Sequence, residues 1–166
     1  MTVQIQPYQL ILGSKSPRRK LLLSELNWPL EIVEIDVEET YPTHLIPTEI
    51  AVFLSELKSK HFTRELNPHD ILITADTLVV LEDEVLMKPE TRDEAIRMLL
   101  QLSGKKHEVI SGVTLKTADF THSFYDVAEV HFNDLSKDEV EYYIDQYRPF
   151  DKAGSYGVQE WIGYIG

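Results

Sequence analysis

The segment Ser14-Lys15-Ser16-Pro17-Arg18-Arg19-Lys20 packs four cations and two hydroxyls into seven residues. Such a set is suited to holding an anion. Ser16 is a good N-cap, because its hydroxyl can accept from an orphan backbone N–H one turn on. Pro17 suits the first helical position, where no N–H is needed. Arg18 and Arg19 then fall in a first turn that already carries partial positive charge, which is mildly unfavourable unless an anion sits there. Free N–H groups, the dipole end and two guanidiniums together make a phosphate cradle. A solvated basic turn uses the same residues, and the short local pattern does not decide between the two.

A second chemical feature is Asp76, which interrupts the apolar run Ile71-Leu72-Ile73-Thr74-Ala75-Asp76-Thr77-Leu78-Val79-Val80-Leu81. A buried carboxylate must be paired, bound to metal or protonated. Asp76 therefore reads as a metal ligand or general base at the rim of a cleft, or as a strand-end residue capping a turn. Lys58 lies at the edge of a helical stripe, where a snorkelling surface lysine is the default. The acids between Glu34 and Glu39 read mainly as a solvated loop. Gln159 follows a glycine-punctuated stretch and could read a base edge, since an amide offers both donor and acceptor. His107 and His131 read as strand-surface histidines, and no HExxH-like metal spacing exists.

The elements that must place these residues follow from periodicity. Residues 8–12 read as a strand, 17–27 as a helix and 30–33 as a second strand. Thr48 to about Arg64 is predicted helical, with Ile50, Leu54, Leu57 and His61 as its stripe and Phe53 beside it. The run at 71–81 is a buried strand, turning at Glu82-Asp83-Glu84 and returning through Val85-Leu86-Met87. Thr91 and Glu94 form a capping box for a helix with Ala95, Met98, Leu99 and Leu102 on one face. Residues 106–117 and 122–132 read as strands. Ser136 and Glu139 form a second capping box, for a helix carrying Val140, Tyr143, Ile144 and Tyr147, with Tyr142 and Tyr143 read as packing residues. Interleaved strands and helices with hairpins make an α/β or α+β protein with a mixed sheet.

Composition narrows the function. The 166 residues favour one domain, with 43% hydrophobic and 27% charged residues. No apolar run approaches the roughly 20 residues of a membrane span. Met1-Thr2-Val3-Gln4-Ile5 lacks a basic n-region and an apolar h-region, so no secretory signal is expected. The absence of cysteine removes disulfides, thiolate zinc sites and Cys nucleophiles, and fits a reducing, cytoplasmic setting. A net charge of −12 disfavours a nucleic-acid binder, which needs a broad basic face. A small, highly charged anion held at one basic site reconciles the two charge signs.

Four separated motifs then carry a family resemblance: Ser14-Lys15-Ser16-Pro17-Arg18-Arg19; Ala75-Asp76-Thr77 with Lys88-Pro89; Leu102-Ser103-Gly104-Lys105-Lys106-His107; and Lys152-Ala153-Gly154-Ser155-Tyr156-Gly157-Val158-Gln159. In this order, across Leu10–Gly166, they resemble the Maf family of nucleoside triphosphate pyrophosphatases. The resemblance implies a two-lobed, mixed-sheet α/β fold similar to inosine triphosphate pyrophosphatases, with a cleft between lobes, spanning 1–166 as a single Maf-like domain. It implies hydrolysis of a nucleoside triphosphate to monophosphate and pyrophosphate with a divalent cation, Mg²⁺ or Mn²⁺. Arg18, Thr77 and Gln159 resemble the dTTP/UTP subgroup. On the same resemblance, Asp76 activates water, and Ser14, Arg18, Arg19, Lys58 and Lys88 hold phosphates. Glu39 and Asp76 bind the metal, while Arg18, Thr77 and Gln159 govern base choice. The expected partner is a nucleotide, with neither nucleic acid nor membrane, and the family suggests a homodimer. Family members continue beyond this Gln with a Gly-x-x-x-x-Val-x-Gly-Leu-Pro-like segment, so that segment is expected to be missing. The alternative is a nucleotide-binding regulator of septum formation.

Overall fold

Apolar runs bounded by turn residues set the strands in the computed structural model, which describes residues 8–166. Strand β1 (Gln9–Gly13) leads into helix α1 (Pro17–Ser24) and strand β2 (Leu30–Val33). Helix α2 (Pro47–Lys60) precedes the long strand β3 (Asp70–Leu81) and the short β4 (Glu84–Leu86). Helix α3 (Arg92–Leu102), strands β5 (Lys106–Lys116) and β6 (Thr121–His131), helix α4 (Lys137–Tyr147), a 3₁₀ turn (Ala153–Ser155) and helix α5 (Ile162–Ile165) complete the chain. The strands form one mixed six-stranded sheet in the order β2-β1-β3-β5-β6, with β4 also on β3. β1 runs parallel to β2 and β3, with Leu10 opposite Leu30 and Ile71, whereas β4 is antiparallel to β3. Among the described residues, no helix is long and apolar enough to cross a membrane. The signal-peptide expectation at Met1–Ile5 falls outside them.

The chain divides into two compact units. The first runs to Asp76 and includes Ser111–Tyr125. Its interior holds Leu10, Ile11 and Leu12 of β1, Leu72 of β3, and Ile50 and Leu54 of α2. Burying such a side chain is worth about 1.5–3 kcal/mol. α1 is shorter than predicted. It stops at Ser24, and Asn27 turns the chain in the left-handed region (φ 54°) ahead of Pro29, a conformation Asn tolerates better than most residues. Leu21, Leu22 and Leu26 of this segment are exposed.

The stripe of α2 also differs from the prediction. Its buried positions are Ile50, Ala51, Leu54, Ser55 and Ser59, while Leu57 and Phe53 are half-buried and His61 is exposed. Small residues face inward because α2 approaches bare backbone. A Cβ on Gly112 of β5 would lie 2.1 Å from the Ala51 carbonyl oxygen.

The second unit comprises Thr77–Ile110 and Asp126–Gly166. The predicted face of α3 (Ala95, Met98, Leu99, Leu102) is buried as expected, and so are Val140, Tyr143 and Ile144 of α4, whereas Tyr147 is exposed. Ser136 and Glu139 form the full reciprocal box. The first box is only half made. Thr91 accepts from the Glu94 N–H at 3.2 Å, but the Glu94 carboxylate accepts from Glu90 N–H at 2.8 Å. His107 is a correction: it is buried at 2% exposure on β5, whereas His131 is exposed as predicted.

Candidate active site

The first unit assembles five of the sequence-predicted residues. β1 ends at Gly13, where a side chain would collide with Ile35 at 2.5 Å and Thr74 at 2.9 Å, so glycine permits the close approach. Ser14 follows, and its hydroxyl accepts from the Ser16 N–H and from Arg19 Nη1, both at 3.2 Å. Ser16 caps α1 and Pro17 occupies its first turn, as predicted. Arg19 Nη1 also donates to the Ala75 carbonyl at 2.8 Å. The basic loop is thereby fastened to β3 at the residue before Asp76. Arg18 and Lys20 are exposed, and Lys15 is engaged at the surface with Glu34 at 3.3 Å.

Asp76 is 6% exposed, so its charge needs a partner. Lys58 of α2 supplies it. The ammonium bonds Asp76 Oδ1 and reaches Glu39 Oε1 at 2.8 Å. With its side chain only 12% exposed, Lys58 is no snorkelling lysine. Its register is set by buried polar contacts one turn earlier. Thr74 Oγ1 donates to the Ser55 carbonyl at 2.7 Å, and the Ser55 and Thr114 hydroxyls share a bond of 2.7 Å. These bonds and the Gly112 approach fix the height of α2 against β3 and so bring Lys58 to Asp76. Burial pulls the Arg19 guanidinium below its ordinary range, and Asp76 pulls it back up. Arginine stays charged throughout.

A family model for Maf-like proteins matches residues 9–166. The chain belongs to the Maf family. A relative from Bacteroides thetaiotaomicron named dTTP/UTP pyrophosphatase is 47% identical over 167 residues, covering 100% of this chain and 86% of the relative. A protein of the same name from Phocaeicola vulgatus gives the same identity and coverage. One from Flavobacterium johnsoniae is 43% identical over 98% of this Maf-family chain and 84% of its own. The solved structure of the Staphylococcus aureus Ham1 protein aligns at 17% identity over 76% of this chain and 72% of that one, with a TM-score of 0.47.

Within this Maf-family chain, Ser14, Arg19, Glu39, Lys58 and Asp76 are joined by the contacts above. Thr77, Lys88 and Gln159 belong to the second unit. Thr77 is half-buried on β3, Lys88 is exposed after β4, and Gln159 is exposed after the 3₁₀ turn. Two carboxylates meeting on one ammonium form a donor pair suited to a hard cation that keeps water and phosphate oxygens as its other ligands. A closed protein cage is absent: among the described residues, no group of three or more His, Cys, Asp or Glu could hold a metal. Sequence reasoning missed the positioning roles of Ser55, Thr74, Gly112 and Thr114. The available signal was the small-residue spacing Ala51-Ser55-Ser59 inside an otherwise amphipathic helix.

Proposed function

We propose that this chain hydrolyses nucleoside triphosphates, dTTP and UTP foremost, to the monophosphate and pyrophosphate. The observation that carries the reading is the meeting of Asp76, Glu39 and Lys58 beside the Arg19–Ala75 bond, next to a cationic helix start. The names of the curated relatives support the substrates.

In this scheme Ser14, Arg18 and Arg19 hold the triphosphate at the N-terminus of α1, where N–H groups and guanidiniums favour negative charge. Asp76 takes a proton from water. The water oxygen bonds the α-phosphorus, the bond from that phosphorus to the α–β bridging oxygen breaks, and pyrophosphate leaves with the electron pair. Lys58 and Lys88 stabilise the charge that accumulates on the leaving group. Glu39 and Asp76 would hold the divalent cation, Mg²⁺ or Mn²⁺, which when bound neutralises phosphate charge. Arg18, Thr77 and Gln159 are assigned to base choice.

The test is pyrophosphate release from dTTP, UTP, CTP and 7-methyl-GTP with Mg²⁺, Mn²⁺ or Co²⁺. Release from dTTP and UTP ahead of the other two is expected. No release above blank from any of them overturns the proposal.

A further inference from the structure

Glu160, the residue after Gln159, is held by two buried donors from separate segments. Tyr143, at 0% exposure on α4, donates its hydroxyl hydrogen to Glu160 Oε2. Lys152, its side chain 10% exposed, pairs with Glu160 Oε1 at 3.2 Å and with Asp151 at 2.8 Å. The Tyr143 hydroxyl also accepts from the Gly157 N–H at 3.1 Å, and the Glu160 N–H donates to the Gly157 carbonyl at 2.9 Å. The Gly157–Glu160 turn is therefore anchored at both ends. The turn is closely packed, since a Cβ on Gly157 would sit 3.3 Å from both the Lys152 and Glu160 side chains. Gln159 is carried within this turn and is itself exposed.

Burying a lysine–carboxylate pair is costly unless each atom is well matched. A surface turn that merely connects two segments gains little from such a device. A turn that must present one amide in one orientation gains a great deal. A pyrimidine such as uracil offers an N–H donor beside a carbonyl acceptor, which matches the carbonyl and NH₂ of glutamine. Discrimination by hydrogen bonds is strong only when the wrong partner leaves site groups unpaired, and that requires an amide that cannot swing away. Holding the amide in place before binding also lowers the ordering cost of association.

We propose that Glu160, clamped by Tyr143 and Lys152, is a positioning residue that fixes Gln159 for recognition of the uracil or thymine edge. This rests on the assignment of Gln159 to base choice. The clamp contains none of the residues assigned to phosphate chemistry, so loss of the clamp changes substrate selection before turnover.

The experiment compares Tyr143→Phe, Glu160→Gln, Gln159→Ala and the double variant Tyr143→Phe/Gln159→Ala in the full chain, with steady-state kinetics on UTP, dTTP and CTP. The clamp variants are expected to raise KM for UTP about five- to tenfold with kcat within about twofold, and to lower the UTP-to-CTP ratio of kcat/KM about fivefold or more. The double variant should be no less selective than Gln159→Ala alone, because both act through one amide. Glu160→Gln keeps an acceptor for Tyr143 and decides the matter if Tyr143→Phe fails to fold. If Gln159→Ala loses selectivity but the clamp variants keep KM and the ratio within about twofold of wild type, the positioning role is overturned. A fall in kcat at unchanged KM and ratio overturns it equally. If Gln159→Ala itself keeps the ratio, the assignment of Gln159 fails, and the inference with it.

Discussion

Arg19 donates to the carbonyl of Ala75 at 2.8 Å, which ties the cationic loop after β1 to the residue preceding the buried carboxylate Asp76. The same guanidinium holds the Ser14 hydroxyl at 3.2 Å. One side chain thus sets the distance between the proposed phosphate holder and the proposed base. Arg19→Lys keeps the charge but replaces the rigid, planar guanidinium, whose Nη1 donates to both acceptors, with a flexible, strongly hydrated ammonium on a shorter reach. It is expected to lower kcat/KM for dTTP by about 10²-fold, the loss typical of one oriented charged donor. Arg18→Ala, at an exposed position, should act mainly through KM. Initial-rate measurements on both variants check this, and equal behaviour of the two would deny Arg19 its spanning role.

Asp76→Asn keeps the shape of the site and removes the proton acceptor. Turnover should disappear while nucleotide still binds, measured as pyrophosphate release alongside equilibrium binding of dTTP. Turnover at the wild-type rate would remove Asp76 from the role of base.

Lys58 pairs with two carboxylates at once, Glu39 and Asp76, and offsets half of their charge. Lys58→Met leaves Glu39 and Asp76 facing each other without it. The lost stability should be smaller than the roughly 3–5 kcal/mol of a fully buried pair, because Glu39 is partly exposed. A divalent cation binding this pair can replace the missing charge. Mg²⁺ at millimolar concentration should therefore raise the thermal midpoint of Lys58→Met more than that of wild type. Thermal scans with and without Mg²⁺ measure this, and equal shifts in the two proteins would argue against metal binding at Glu39 and Asp76.

The sequence makes Asp76 legible because a carboxylate in a continuous apolar strand has few outcomes, and burial at 6% exposure bears that out. The N-cap at Ser16 and the face of α3 are legible for a similar reason: local hydrogen bonding and helical period decide them. Lys58 is not legible, since a lysine beside an apolar stripe looks the same whether its ammonium meets water or a carboxylate. The buried face of α2 is not legible from apolar period alone, because close approach to bare backbone at Gly112 selects Ala51 and the Thr114 hydroxyl pairs with Ser55. The burial of His107 is not legible either, because alternation along a strand tells which residues share a side, but not which side is covered. The Lys152–Glu160 pair depends on a turn that brings together residues eight apart, which no periodicity encodes.

Gly112→Ala tests the seat of α2. The new methyl would sit 2.1 Å from the Ala51 carbonyl oxygen, so α2 must move or the strand must bend. Overpacking of this kind costs about 1–3 kcal/mol. Because Ser55 and Lys58 ride on the same helix, activity should fall further than the folded fraction does. Comparing specific activity with the folded fraction from circular dichroism checks this. Proportional losses would mean that the height of α2 does not govern the Lys58–Asp76 contact.

His107 gives the fold a pH limit. Burial pushes its imidazole down from 6.5 to about 4, and Nε2 shares a 2.7 Å hydrogen bond with the Tyr156 hydroxyl. Below pH 6.5 the unfolded chain binds a proton at this residue that the folded chain refuses. The unfolded state then holds more protons, so stability falls as pH drops from 6.5 towards 4 and levels off below. The slope attributable to His107 reaches about 1.4 kcal/mol per pH unit inside that window. His107→Gln retains a partner for Tyr156 but cannot titrate. Urea unfolding at a series of pH values from 7 to 4, about one unit apart, should show a shallower acid decline for the variant. Parallel curves for wild type and variant would show that the proton is taken up elsewhere.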